Sequence, residues 1–275
     1  MPEYISIAEK HYGAGLKEVD FIYHTEEARS TINRWVEGKT EGKIVDLMGP
    51  GVLDPLTRLV LTNAIYFKGQ WEQQFRPEQT AEAPFRLSTG KQVIVPFMHQ
   101  VATFKYDETG SAQVLELPYS GNELAMTVLL PKPDSSLAEL EAVIRTDGVE
   151  SILEALSPTM VDVSIPRFKF EAELSLSGYL KQLGMVDAFD DNIADFSGIS
   201  DTFLYITHVL HKAFIEVNEE GTEAAAATAV VVGTKSIRLD PPKVFMADRP
   251  FVFLIRDVRT GSILFIGRMA DPLSK

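Results

Sequence analysis

Apolar and polar positions alternate with two different periods along this chain, and the changes of period mark out the predicted elements. Over 25–37, TEEARSTINRWVE, the residues Ile32, Trp35 and Val36 recur at helical spacing. Thr25 before the acidic pair marks a helix start, and Gly38 marks its stop. The run LVLTNAIYFKG (59–69) is rich in branched and aromatic residues and predicts a long strand buried on both faces. From 84 to 131 the runs PFRLSTGKQVIVPFM, ATFKYDETG and SAQVLELPYSGNELAMTVLLP predict several strands, with hairpin turns at 107–110 and 120–123. Helical spacing returns in 137–144 and 149–156. MVDVSIPRFKFEAEL (160–174) alternates as one half-exposed strand, LSGYLKQLGM (176–185) is a short helix stopping near Gly184, and 206–220 is another long strand. Two apolar strands, 251–258 and 262–268, close the chain around a tight turn at 259–261. Strands and helices mix without strict alternation, so the fold class is α+β.

One segment breaks the pattern. GTEAAAATAVVVGTKSIRLDPP (221–242) joins alanines, which favour helix, to three valines, which favour strand, and then to glycine and prolines. A short alanine helix with a surface loop is one reading. The other is a segment able to enter a sheet as an extra strand. Thr222, Ala224, Ala226, Thr228, Val230 and Val232 would then share one face, with nothing charged and nothing larger than valine. Glu223, Ala225, Ala227, Ala229 and Val231 would share the other, so the single charge falls on the face that solvent can reach.

The formal net charge of −13 works against nucleic acid and anionic lipid as partners. No cysteine is present, which removes disulfides and thiol chemistry. No apolar run approaches the ~18 residues of a membrane span. Met1-Pro2-Glu3-Tyr4 lacks a basic region followed by an apolar stretch, so no signal peptide is expected there. His208 and His211 are three apart on a predicted strand and point to opposite faces, and no HExxH pattern occurs. Asp187, Asp190, Asp191 and Asp195 match no calcium-loop spacing and suit a solvated turn. With no nucleophile elbow, phosphate loop or dinucleotide motif either, an enzyme is not expected and no cofactor is assigned.

Five segments, in order, resemble the serpins. NEEGTEAAAATA (218–229) is similar to that family's hinge, and FMADRPFVFLIRDVRTGSILFIGRM (245–269) to its C-terminal signature. LTNAIYFKGQWEQQF (61–75), LKQLGMVDAFDDNIADFSGIS (180–200) and THVLHKAFIEVNEEG (207–221) match further family segments. The resemblance implies a single domain over 1–275 with the serpin fold: large, mainly antiparallel sheets flanked by helices, and an exposed reactive-centre loop with its hinge at 221–242. It also implies inhibition of a serine protease. The protease cuts the loop and is held as an acyl-enzyme while the loop enters the main sheet as a new strand. Residues 222–235, at about 3.3 Å each, reach on the order of 46 Å, enough to cross a long sheet.

Counting along the family hinge places the reactive bond between Lys235 and Ser236, which suits a trypsin-like protease with an acidic specificity pocket. Arg238 is a rival bait, and a cut after Val232 would suit an elastase-like enzyme. The hinge comprises Glu219, Glu220, Gly221, Thr222, Glu223, Ala224, Ala225, Ala226, Ala227 and Thr228, with Thr222 leading the insertion. Asn63 and His211 match a polar cluster in the middle of the main sheet, and Trp71 the tryptophan near its opening point. Plain core packing would account for Trp71 and His211 equally well. The resemblance implies a monomer and favours an extracellular location, with a cytoplasmic one also open. The alternative in the same family is a non-inhibitory binder or chaperone-like protein. The family's N-terminal helices and first strand have no counterpart here, so the fold is expected to be N-terminally incomplete. Tyr4-Ile5-Ser6-Ile7 is expected to begin inside the second strand of the main sheet, and a large apolar face to be uncovered.

Overall fold

A computed structural model describes residues 2–12, 15–222 and 241–274. In chain order the elements are helices α1 (Pro2–Tyr12) and α2 (Thr25–Lys39), then strands β1 (Leu59–Tyr66), β2 (Gly69–Gln70), β3 (Ala81–Arg86), β4 (Gln92–Glu108), β5 (Ala112–Pro118) and β6 (Leu124–Pro131). Helices α3 (Leu137–Asp147) and α4 (Glu150–Leu153) lead to β7 (Ser157–Pro166) and β8 (Phe168–Ser175). Helix α5 (Ser177–Gln182) precedes β9 (Ile206–Val217), β10 (Gly221–Thr222), β11 (Lys243–Met246), β12 (Phe251–Asp257) and β13 (Ile263–Met269). The contacts divide into two compact units, one of Met1–Tyr66 with Glu171–Phe214 and one of Phe67–Phe170 with Ile215–Lys275.

In the first unit, β1 and β9 pair in parallel from Leu59↔Ile206 to Tyr66↔Phe214, and β8 also pairs with β9. Helix α2 packs Val36 and Ile32 against Ile44, Leu47, Met48, Leu210 and Phe214, with Val60, Ala64 and Tyr66 of β1 completing the cluster. Glu26 and Glu27 sit in its first turn, where the helix dipole favours negative charge. Buried Asn33 spans the two backbone groups of Met48: its Oδ1 accepts from Met48 N at 2.9 Å and its Nδ2 donates to Met48 O at 3.0 Å. That bond turns the buried side of α2 towards Asn33, so Trp35, expected in the apolar stripe, lies on its flank and is exposed. Helix α2 also runs through Gly38 and ends at Lys39.

Three other expectations are corrected in this unit. Residues 4–7 are helical and not strand, because Pro2 at the first helical position presets φ and Ala8, Glu9 and Lys10 favour helix. Among the described side chains of that helix, Ala8 is the buried one. Strand β1 is not buried on both faces: Val60, Ala64 and Tyr66 face the α2 cluster, whereas Leu61 and Asn63 on the other face are exposed. The run 160–174 is two strands, broken at Arg167, with only β8 continuing into this unit.

In the second unit one sheet has the order β11-β7-β4-β5-β6-β12-β13, with β3 added on β4. Its pairs are antiparallel except β11 with β7. The expected strands at 92–108 are a single strand of 17 residues. The 120–123 turn is formed with positive φ at Gly121 and Asn122, which suits the right-handed twist of the flanking strands. Strands β5, β6 and β12 are buried almost throughout. Helices α3 and α4 cover one face, where Leu140, Val149 and Ile152 pack on Val114, Leu129, Val252 and Leu254. The start of α3 is fixed by a reciprocal cap between Ser136 and Glu139.

Candidate functional site

The end of β9 turns back on itself at 218–221 and becomes β10. Asn218 N donates to Gly221 O at 2.9 Å, and the Asn218 side chain accepts from the amides of Glu220 (3.1 Å) and Gly221 (3.2 Å). An asparagine leading a turn performs this task through its own amide oxygen. Gly221 has φ 153°, and a Cβ there would lie 2.0 Å from Gly69 O and 2.7 Å from Gln70 Cα. Only glycine fits. The two residues Gly221 and Thr222 then lie as a strand against β2, with Gly221↔Gln70 and Thr222↔Gly69, while Thr222 also pairs with Val217 of β9.

Thr222 is fully buried. Its Oγ1 is 2.7 Å from the hydroxyl of Tyr119, also buried, whose ionisation burial suppresses strongly even though the Thr222 hydrogen bond opposes the shift. Trp71 stacks on Tyr119 with ring centres 4.6 Å apart and planes 12° from parallel. Its indole donates to Asn218 O at 2.9 Å and its amide to Glu220 O at 2.9 Å. Trp71 is therefore a brace on the 218–221 turn and more than apolar filling. Gly69 lets this packing close, since a Cβ there would sit 3.0 Å from the Phe67 and Tyr119 rings.

Glu219 is buried. Its Oε1 accepts from Thr80 Oγ1 at 2.5 Å and from Arg167, whose Nε lies at 2.7 Å and whose Nη2 also bonds it. Burial pushes the Glu219 carboxyl up, but the hydrogen bonds from Arg167 and Thr80 outweigh it and hold the group below the usual carboxylate range. The ionised group thus contributes stability that is fully present above its ordinary value, ~4.3, and is lost as pH falls through the lowered folded value. Glu219→Gln should cost about 1–2 kcal/mol at pH 7, reduced from a fully buried pair because Arg167 is partly exposed. In urea unfolding, that difference should shrink as pH falls through the lowered folded value. A difference that persists there would show that the loss is packing and not charge. Glu220 contributes its carbonyl to Trp71, and its Oε2 is buried with no hydrogen-bond partner among the described residues.

Asn63 and His211 lie in the first unit, directly opposite each other in the β1–β9 ladder. His211 Nδ1 is 2.8 Å from Asn63 Oδ1, on the exposed face of the strands. The structure brings these two together as the sequence reading grouped them, but His211 is not a buried core residue. No strand lies between β1 and β9. Glu223, Ala224, Ala225, Ala226, Ala227, Thr228, Lys235 and Ser236 lie outside the described residues. Tyr119, Thr80, Arg167 and Asn218 were not among the residues expected to matter. Asn218 in front of a glycine three residues on carries a turn signal, and Arg167 interrupts an alternating run. Nothing in the local sequence marks Tyr119 or Thr80.

Among the described residues no group of three or more His, Cys, Asp or Glu is placed to hold a metal ion. No described helix is long and apolar enough to cross a membrane.

The family model for serpin (serine protease inhibitor) matches residues 1–272. The chain is 44% identical to human Serpin B11 over 275 residues, covering 98% of this chain and 70% of that protein. It is 44% identical to human leukocyte elastase inhibitor over 281 residues, covering 99% and 74%. The crystal structure of Serpin48, a highly specific serpin of the insect Tenebrio molitor, superposes with a TM-score of 0.87 at 38% identity, covering 98% of this chain and 71% of that one. These names carry no cellular compartment, so they lend the expected extracellular location no support. Matched over nearly its whole length in sequence and in fold, the chain belongs to the serpin (serine protease inhibitor) family, a family of protease inhibitors, not of enzymes, that also includes non-inhibitory members.

Proposed function

We propose that this serpin inhibits a trypsin-like serine protease as a suicide substrate, acting as a monomeric single domain and presenting Lys235–Ser236 as the reactive bond. The observation that carries the reading is the position of Thr222. Gly221 and Thr222 already pair as a strand with Gly69–Gln70, and Thr222 with Val217, whereas β1 and β9 pair directly with each other. Strand addition has begun at the hinge and has a place to continue along β9.

The chemistry follows from that arrangement. The protease serine attacks the Lys235 carbonyl, the bond to Ser236 nitrogen breaks, and an ester to Lys235 forms in its place. Residues 222–235 are then joined to the rest of the chain only at Thr222, with the protease carried on Lys235, and are free to extend β10. The 12 residues of β9 reach about 40 Å, close to the length of that segment. An entering strand is antiparallel to β9, as β10 already is, and replaces one parallel ladder with two antiparallel ones. Small residues at 222–229 limit the steric barrier to entry, which supports inhibition over a purely binding role.

The relative named leukocyte elastase inhibitor supports a second target, an elastase-like protease cutting after Val232. Fragment masses decide between the two sites. Cutting the loop with a trace of protease should also raise the melting temperature by at least ~10 °C, because a strand has been added to the sheet. A cut chain that melts with the intact one is a non-inhibitory serpin with a cleavable loop.

A further inference from the structure

Leu56 and Phe203 are large apolar residues that are 67% and 53% exposed. Each stands three residues before the Leu59↔Ile206 pair that opens the β1–β9 ladder, so both lie at the same end of the seam. Hydrogen bonds fix the backbone there. Asp54 Oδ1 accepts from Leu56 N at 2.9 Å and from Thr57 Oγ1 at 3.1 Å, and the Arg58 guanidinium donates to the carbonyls of Pro55 and Thr57 at 3.0 Å. Ser200 Oγ accepts from Thr202 N at 3.1 Å, just before Phe203. Arg58 N donates to Thr207 Oγ1 at 3.0 Å and ties the two strand ends together. The chain is held at this end while two apolar side chains stay in water.

The register of β10 determines what arrives at this end. Thr222 pairs antiparallel with Gly69 and with Val217. A strand entering in that register places Val232, ten residues beyond Thr222, beside Leu59, ten before Gly69. It places Gly233, eleven beyond Thr222, beside Ile206, eleven before Val217. The one-residue difference between the two sides is the irregularity already present at Leu59/Val60. Thr234 and Lys235 are then left outside the seam, a tether of about 7 Å. A protease domain of about 200 residues has a radius of gyration of about 16 Å, so on that tether it cannot clear the ends of β1 and β9. We infer that Leu56 and Phe203 form the surface on which the trapped protease rests, and that this contact sets how long the adduct lasts. This rests on the reading that the loop cut at Lys235 enters between β1 and β9. Apolar side chains pressed on the protease leave water, which favours the pressed state. When the contact is lost the protease regains its working geometry. Water then adds to the Lys235 ester carbonyl, the serine oxygen leaves with a proton, and Lys235 is left as a carboxylic acid.

The test isolates the adduct of the full chain with trypsin and follows the return of trypsin activity. With Leu56→Asp and Phe203→Asp combined, activity should return about tenfold faster. The rate of adduct formation and the inhibitor consumed per protease should stay within about twofold, because neither residue lies on the path of entry. Ile94→Asp, at an exposed position of β4 in the second unit, adds a charge elsewhere and should change none of the three. Should the acidic pair fail to fold, Leu56→Ser with Phe203→Ser provides the same comparison. Release that is unchanged in the double variant, or hastened as much by Ile94→Asp, overturns the resting surface. A double variant that leaves release unchanged but separates a dimer of free chains assigns the pair to a second copy and overturns it too. An unaltered chain that forms no adduct overturns the insertion reading itself, and the surface with it.

Discussion

Thr222→Arg should convert the inhibitor into a substrate. In the intact chain Thr222 is fully buried, bonded through its hydroxyl to Tyr119 and paired with Gly69 and Val217. An arginine there must leave its charge unpaired beside Tyr119 or pull the hinge out of the sheet, and desolvating the charge costs several kcal/mol. Trapping is a race between strand entry and hydrolysis of the acyl bond. Each 1.4 kcal/mol added to the barrier for entry slows it about tenfold. The variant should therefore still be cut after Lys235, while trypsin recovers nearly all its activity and the inhibitor consumed per protease rises by tenfold or more. Thr222→Ser keeps the hydroxyl and should behave almost as the unaltered chain. Unchanged trapping by the arginine variant would mean that Thr222 does not lead the insertion.

Gly221→Val should be the most damaging single change at the hinge. Any Cβ there would meet Gly69 O at 2.0 Å and the Gln70 backbone at 2.7 Å, none of which is the end of a movable side chain. The positive φ adds strain to the clash. Together they should cost about 3 kcal/mol or more, read as a lower urea midpoint with a similar slope. Gly38→Ala is the matched control: it lies inside α2 with nothing within 4 Å, and alanine there should be neutral or stabilising by up to about 1 kcal/mol. A Gly221 variant as stable as the control would refute the close packing of β10 on β2.

Much of the fold was legible because local signals and packing agree. The terminal hairpin and the turn at 120–123 carry turn residues where the chain bends, and α2 begins at Thr25 with its acidic pair in the first turn. Legibility failed where a few local residues outweighed a run's general character. Tyr4-Ile5-Ser6-Ile7 has strand composition, yet Pro2 and the Ala8-Glu9-Lys10 stretch set it as helix. Strand β1 looks buried from its side chains, but periodicity cannot say whether a second layer covers its other face. The likeness of 218–229 to a serpin hinge was readable as a motif, and Thr222 pairs with Gly69 and Val217. The frame around the hinge was not readable. Tyr119, Thr80 and Arg167 are 103, 139 and 52 residues distant from the groups they bond, and no local pattern joins such pairs. Trp71 drew attention through its type, while its role as a double donor to the 218–221 turn came only with the geometry.

The most direct measurement is incubation of the chain with trypsin, followed by denaturing electrophoresis and mass analysis of the loop fragment. The account predicts an adduct that survives denaturation and joins the protease serine to Lys235, with release of a C-terminal fragment beginning at Ser236. Clean cleavage after Lys235, with no adduct and full protease activity, would contradict it.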